Sequence, residues 1–151
     1  STENAIAMLP QPFVTTAQTQ NENLRVALDM TEEWEKLASA NGGDATLITG
    51  VVVARKDFVK ENPDLINLFL AGYEQSVAYT ETDLEGAAAL VGQYDIVPEA
   101  VALKALPECN ITFIAGEEMK TKLSAYLQTL QEQNPKSIGG ELPGDDFYYV
   151  G

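Results

Sequence analysis

Apolar positions along this chain follow two different spacings. Short runs rich in β-branched residues predict four strands, at residues 4–9, 24–28, 46–54 and 111–115. Longer segments in which apolar residues recur every three or four positions predict at least four helices. The run at 46–54 is apolar almost throughout, which is typical of a strand buried on both faces of an α/β sheet. The pattern therefore predicts an α/β fold with more helix than strand.

Helix boundaries can be predicted from proline and from residues that cap helices. Pro12 opens a short helix over 12–20, and Asp29 and Thr31 are both good N-cap types for the next one. A short helix over 56–61 ends before Pro63, which starts a longer helix. The capping-box sequence at 82–85, Pro98 and the glycine at 116 predict three further helix starts. The Gly/Pro-rich tail from 137 to 151 ends in adjacent aromatic residues that we expect to dock on the domain.

Composition limits the partners and the number of domains. With 151 residues, 45% of them apolar, the chain can bury one core. Its formal net charge of −14 disfavours binding to nucleic acid or to anionic membrane surfaces. Since no apolar run approaches the ~20 residues that cross a bilayer, we predict no membrane insertion.

Residues that usually carry catalysis are scarce. Histidine is absent, which removes the commonest general base and metal ligand. Cys109 is the only cysteine, so no internal disulfide can form, and its position beside Glu108 indicates a structural thiol. The glycine-rich segments lack the spacing of nucleotide-binding motifs, and the adjacent acidic pairs at 117–118 and 145–146 lack that of a calcium loop. The sequence therefore predicts no enzyme activity, no metal and no cofactor.

Several segments carry a family resemblance in a consistent order. They are Ala5-Ile-Ala-Met-Leu-Pro-Gln-Pro-Phe-Val14, Leu24–Asp29, Thr31–Glu35, Gly50–Phe58 and Asn134–Gly140. Together they resemble the C-terminal half of bacterial ABC-transporter solute-binding proteins of the nitrate, sulfonate and taurine type. The resemblance implies a partial type II periplasmic-binding-protein-like fold, with a short mixed sheet, flanking helices and a helix-rich C-terminal part. It assigns residues 1–45 to the end of the second lobe and the crossover, and 46–151 to the return to the first lobe.

The same resemblance implies a function and a binding site. Such receptors capture a small organic ligand outside the cytoplasm, in the periplasm or lipid-anchored at the cell surface, and deliver it to an ABC permease. Carried over to this sequence, Pro10, Gln11, Pro12 and Phe13 lie on the loop facing the ligand cleft. Relatives often carry Glu where this chain has Gln11, which leaves the charge preference of the site open. Thr49 and Gly50 are further candidates near the hinge.

Alternative interpretations remain for the loop and for the whole chain. The residues at 10–13 could form only a tight turn and a core contact, and those at 49–50 could serve ordinary sheet packing. The chain could also be an enzyme fragment of the related fold that makes the thiamine pyrimidine precursor, or a freestanding acidic α/β interaction domain. The resemblance places the first half of the receptor outside this sequence. We therefore expect exposed apolar surface and a homo-oligomer, with the break at 41–44 as the hinge of a domain-swapped dimer.

Overall fold

A computed structural model describes residues 5–44 and 46–151 of the chain. These residues form seven α-helices and three short 3₁₀ turns. The α-helices are α1 (Phe13–Gln20), α2 (Met30–Asn41), α3 (Lys56–Glu61), α4 (Pro63–Thr82), α5 (Leu84–Gln93), α6 (Glu99–Ala105) and α7 (Gly116–Gln133). The 3₁₀ turns cover Leu106–Glu108, Pro135–Ile138 and Asp145–Phe147.

The predicted α/β fold is wrong, because the described residues contain no strand. The segments predicted as strands, 24–28, 46–54, 111–115 and the described part of 4–9, are all irregular. The partial type II periplasmic-binding-protein-like sheet is therefore absent from the described chain. The physical reason is that a strand exists only where a neighbouring strand pairs with its backbone N–H and C=O groups. β-Branched composition alone does not supply that neighbour.

The predicted helices are confirmed, and their capping groups explain where they start. The Asp29 carboxylate accepts hydrogen bonds from the backbone N–H groups of Thr31 (2.8 Å) and Glu32 (3.3 Å), as expected of an N-cap. The same helix ends at Gly42, whose left-handed φ of 69° is the conformation that favours glycine. Helix α3 ends at Glu61, and α4 begins directly at Pro63.

One predicted cap is displaced by a residue. The sequence at 82–85 indicates a capping box opened by Thr82, but that residue is the last of α4. The N-cap of α5 is Asp83, whose Oδ1 accepts the N–H of Gly86 at 2.9 Å. A short carboxylate at this position satisfies one of the free N–H groups at the start of the helix.

The described chain divides into two compact units, and each is discontinuous in sequence. Unit 1 comprises Ser1–Val26 and Leu68–Phe113, and unit 2 comprises Ala27–Asn67 and Ile114–Gly151. The boundary predicted between residues 45 and 46 refers to the lobes of a longer receptor and stays a prediction.

The buried side chains of the described residues all belong to unit 1. Its buried apolar residues are small and lie mainly on α5 and α6: Val77, Ala87, Ala88, Ala102 and Ala105. Alanine at these positions allows the two helices to approach closely. Thr15 on α1 is the one buried polar residue there. In unit 2 no described residue reaches the same degree of burial.

The C-terminal tail, which is part of unit 2, makes polar contacts with other residues of that unit. Lys120 Nζ lies 2.9 Å from Asp145 Oδ1, and Lys56 forms an ion pair with Asp146. The Tyr149 hydroxyl donates to Asn67 Oδ1 at 3.1 Å. The hydrogen bond from Lys56 lowers the pKa of the Asp146 carboxyl, and the hydrogen bond to Asp145 raises the pKa of Lys120. These polar contacts link residues 145–149 to α3, α4 and α7.

Candidate functional site

The loop that precedes α1 is organised by the side chain of Gln11. Its Oε1 atom accepts the backbone N–H of Thr15 at 3.3 Å and the Thr15 hydroxyl at 2.8 Å. The N-cap position of α1 is Pro12, which has no side-chain acceptor of its own. Gln11 therefore takes over part of the capping role from one residue further upstream.

The opposite end of the same amide points to a binding role. Gln11 Nε2 makes no hydrogen bond to the described residues, so its two N–H groups can donate to another molecule. Phe13 follows two positions later and is 61% exposed, rather than a core residue. Pro10 is exposed and Pro12 half-buried. This part of the chain thus carries a free amide donor at Gln11 and, two residues further on, an exposed aromatic ring at Phe13.

The other predicted site residues belong to unit 2 and are described with it. Thr49 and Gly50 are both exposed and lie in an irregular segment, not in a strand. Space around Gly50 is open, because a Cβ atom there would meet nothing within 4 Å. Close approach by another part of the described chain therefore does not explain this glycine, and its role in binding stays a prediction.

A depression of about 350 Å³ lies on unit 1, and none of the predicted site residues lines it. Its lining comes from the end of α4, the start of α5 and the segment after α6: Thr80, Glu81, Leu84, Leu106, Pro107, Asn110, Ile111 and Thr112. Only one of these side chains, that of Glu81, is ionisable. The depression therefore lacks an acid–base pair.

The junction of α4 and α5 beside this depression is held by one carboxylate. The Tyr79 hydroxyl donates to Asp83 Oδ2 at 2.8 Å while Gly86 N–H donates to Oδ1. Gly86 is required for this arrangement, because a Cβ atom there would collide with the Tyr79 hydroxyl and the Asp83 carboxylate. The N–H of Gly86, followed by the Tyr79 hydroxyl, lowers the pKa of Asp83. The pKa of Tyr79 is raised in turn, mainly by its hydrogen bond to Asp83.

We expect this carboxylate to make folding depend on pH in the acid range. A carboxyl group whose pKa is lowered by folding stabilises the protein above its unfolded pKa, and this contribution is lost as the pH falls through the folded value. The melting temperature of Asp83→Asn should therefore lie below that of the unmodified protein at neutral pH, and the gap should narrow as the pH falls below 3.8, the ordinary value for aspartate.

Tyr79→Phe serves as the control for this experiment. It removes one of the two hydrogen bonds to the carboxylate, so the pKa of Asp83 is lowered less, and the acid-induced loss of stability should be smaller and complete at higher pH than in the unmodified protein. A gap between Asp83→Asn and the unmodified protein that stays constant down to pH 3 contradicts the assignment. Thermal unfolding followed by far-UV circular dichroism supplies the measurement.

A second depression, of about 380 Å³, lies along the exposed side of α2. It is lined by Glu32, Glu35, Lys36 and Ser39, all from one helix. Glu33 and Glu32 pair with Lys36, at 2.7 and 3.7 Å, and Glu33 is the main cause of the raised Lys36 pKa. Pairs at three and four residues along one helix are ordinary solvated contacts.

The described residues contain neither a metal-binding cluster nor an activated thiol. No group of three or more Cys, Asp or Glu residues among them is arranged to hold a metal ion. Partial burial raises the pKa of the Cys109 thiol, and Glu108 raises it further, so the thiol is protonated and a poor nucleophile at neutral pH. Among the described helices, none combines the length and apolarity needed to cross a membrane.

Comparison with known proteins found no matching family model, curated protein or solved structure. The resemblance to solute-binding proteins therefore rests on the sequence segments alone. The residue that sequence analysis missed is Thr15, the buried partner of Gln11. Its signal is the Gln/Thr pair at a spacing of four, which places both residues on one side of the first helical turn.

Proposed function

We propose that this chain is a non-catalytic binding segment of an extracytoplasmic solute receptor, which captures a small polar organic ligand for an ABC importer. The observation that carries the proposal is the loop at 10–13. Its Gln11 side chain is held at the carbonyl end by Thr15, while the amide end remains free to donate, and Phe13, two residues further on, is exposed. A side chain that is held at its carbonyl end and can donate from its N–H end suits a site that recognises a polar ligand through a few polar protein groups.

The proposal depends on this loop and on the sequence resemblance, and not on a receptor-like sheet. An enzyme is less favoured, because the sequence has no histidine and the Cys109 thiol is protonated. A sulfonate, a nitrate ion and a pyrimidine all have acceptor atoms for an amide N–H, so the ligand class stays open among them. Delivery to a permease and location outside the cytoplasm follow from the resemblance.

The loop can be tested directly by nuclear magnetic resonance. Taurine, nitrate and a free pyrimidine base, each at millimolar concentration, are titrated into the ¹⁵N-labelled protein. We expect at least one probe to shift the Gln11 side-chain amide and the backbone N–H of Phe13. Gln11→Glu keeps the acceptor for Thr15 but removes the donor, so it should weaken binding by about 1–3 kcal/mol, the cost of an unpaired hydrogen-bonding group.

Two further variants separate ligand recognition from capping and charge. Gln20→Glu adds the same charge at the exposed end of α1 and should leave binding unchanged. Gln11→Ala removes both the donor and the cap, so it should lower helix stability as well as binding. The proposed site is wrong if no probe shifts the Gln11 amide, or if binding survives Gln11→Glu undiminished.

A further inference from the structure

The chain exposes more surface than its mass explains. Its accessible surface is 11471 Å². For a chain of 16.3 kDa, a compact monomer exposes about 7,500 Å², and two independent domains of half that mass about 9,000 Å² together. The five residues outside the described part add at most about 700 Å² even when fully extended. Each chain therefore exposes more than about 1,500 Å² of surface beyond the value expected from its mass. This excess is about twice the area that one partner buries in a standard interface.

Unit 2 exposes three consecutive apolar side chains in residues 46–55, which we call the valine segment. Val51, Val52 and Val53 are 57%, 55% and 76% exposed. Backbone groups of residues 47–54 make no hydrogen bond to any described residue. Consecutive exposed valines with unpaired backbone groups have the chemistry of an edge strand that lacks its neighbour.

The two ends of the valine segment differ in their support. Residues 46–48 are half-buried in unit 2, where Lys122 Nζ donates to Thr46 Oγ1 at 3.1 Å and the Asp44 carboxylate accepts the Thr46 N–H at 2.8 Å. Residues 49–55 are exposed. The first part of the segment is thus packed on its own unit, while the second part is exposed.

We propose that two copies of this chain form a homodimer by pairing their valine segments antiparallel, about a two-fold axis at Gly50. A two-fold axis perpendicular to an antiparallel pair places one residue opposite itself. Gly50 suits this position, because the space around it is open. The register then pairs Ile48 with Val52 and Leu47 with Val53, so the supported half of each copy covers the exposed half of the other. The pair lies between copies and adds no strand to either chain's own fold.

Charge distribution favours a second copy as the occupant. Residues 45–54 are uncharged in a chain of net charge −14, so pairing brings no acidic groups together along the segment. The same register puts Lys56 of one copy opposite Asp44 of the other, at both ends of the pair. Lys56 also contacts Asp146 of its own chain, and Asp44 its own Thr46. Opposite charges at the two ends fix an antiparallel orientation.

The dimer can be tested by light scattering coupled to size-exclusion chromatography. The unmodified protein should elute at twice the chain mass of 16.3 kDa. Val52→Lys places a charge opposite Ile48 of the other copy and should give a monomer. Since Val52 is exposed in the single chain, this variant should keep its helical circular dichroism. Leu68→Lys, at an exposed leucine of α4 outside the segment, is the matched control and should remain a dimer.

Cysteine cross-linking tests the register in a Cys109→Ser background. Gly50→Cys brings the two thiols together at the axis, so mild oxidation should yield mainly covalent dimer. Val53→Cys places them apart, opposite Leu47, and should cross-link at least several-fold less. A monomeric unmodified protein, a dimer that survives Val52→Lys, or equal cross-linking at both positions would overturn the proposal. The first of these outcomes would assign the segment to a different polypeptide partner.

Discussion

Replacing Ala88 by leucine should destabilise unit 1 by about 1–3 kcal/mol, the usual cost of forcing a larger side chain into a packed interior. Ala88 is 0% exposed on α5, which packs against α6, and Ala87 of α5 and Ala102 and Ala105 of α6 are buried as well. Because alanines on both helices fill this interface, a leucine can enter only if the helices separate. Chemical denaturation followed by circular dichroism at 222 nm should show a lower midpoint.

The matched control for this prediction is Ala71→Leu. Ala71 is exposed on α4, so the same change in size should alter stability by less than about 0.5 kcal/mol. Gly92→Ala supplies a smaller perturbation of the same interface, since its new Cβ would lie 3.0 Å from the Cβ of Glu99. We expect its effect to fall between those of the other two variants. Equal midpoints for Ala88→Leu and the unmodified protein would show that the interface can open without cost.

The helices could be predicted because their signals are local. Asp29 caps α2 with its own side chain, and Pro63 starts α4 by fixing its own φ, so neither depends on a distant residue. The cap of α5 shows the precision of such signals. Thr82 and Asp83 are both capping types, and only the structure distinguishes them, through the hydrogen bond from Gly86 to Asp83.

The strands could not be predicted in the same way, because pairing is not a local property. The valine segment has the composition of a buried strand, yet no described residue pairs with its backbone. The composition of a segment indicates that it would pack well in a sheet, but it does not identify the strand that the segment would pair with. For this reason the same residues that gave a wrong fold class now indicate a surface for a partner.

The candidate site could likewise be predicted only in part from the sequence. The proline pair predicts a loop before α1, and the structure has that loop, with Phe13 exposed as the first residue of the helix. The sequence could not predict that the Gln11 carbonyl is occupied while its N–H groups are free, because this depends on the Thr15 hydroxyl reaching Oε1. An amide side chain can accept and donate at once, and only the geometry tells which end is occupied.

Truncating Trp34 should have the largest effect on unit 2. Its ring lies 5.3 Å from that of Tyr126, which joins α2 to α7. Trp34→Ala should cost about 2–3 kcal/mol, below the ~3–5 kcal/mol of a fully buried aromatic, because the residue is only half-buried. Denaturation followed by circular dichroism measures this cost, since Trp34 is the only tryptophan and its fluorescence is lost.

Trp34→Phe separates ring packing from the indole N–H. The Nε1 atom is buried and has no hydrogen-bond partner among the described residues, so removing it relieves a desolvation penalty of about 1–3 kcal/mol. That gain offsets part of the packing energy lost with the larger ring, and we expect a net change in stability within about 1 kcal/mol.

In a double-mutant cycle with Tyr126→Leu, Trp34→Ala should show a coupling of about 0.5–1.5 kcal/mol. Tyr94→Ala, at an aromatic residue that is 72% exposed in unit 1, is the control and should be nearly neutral. Additive effects of Trp34→Ala and Tyr126→Leu would contradict direct packing of α2 on α7 through these rings.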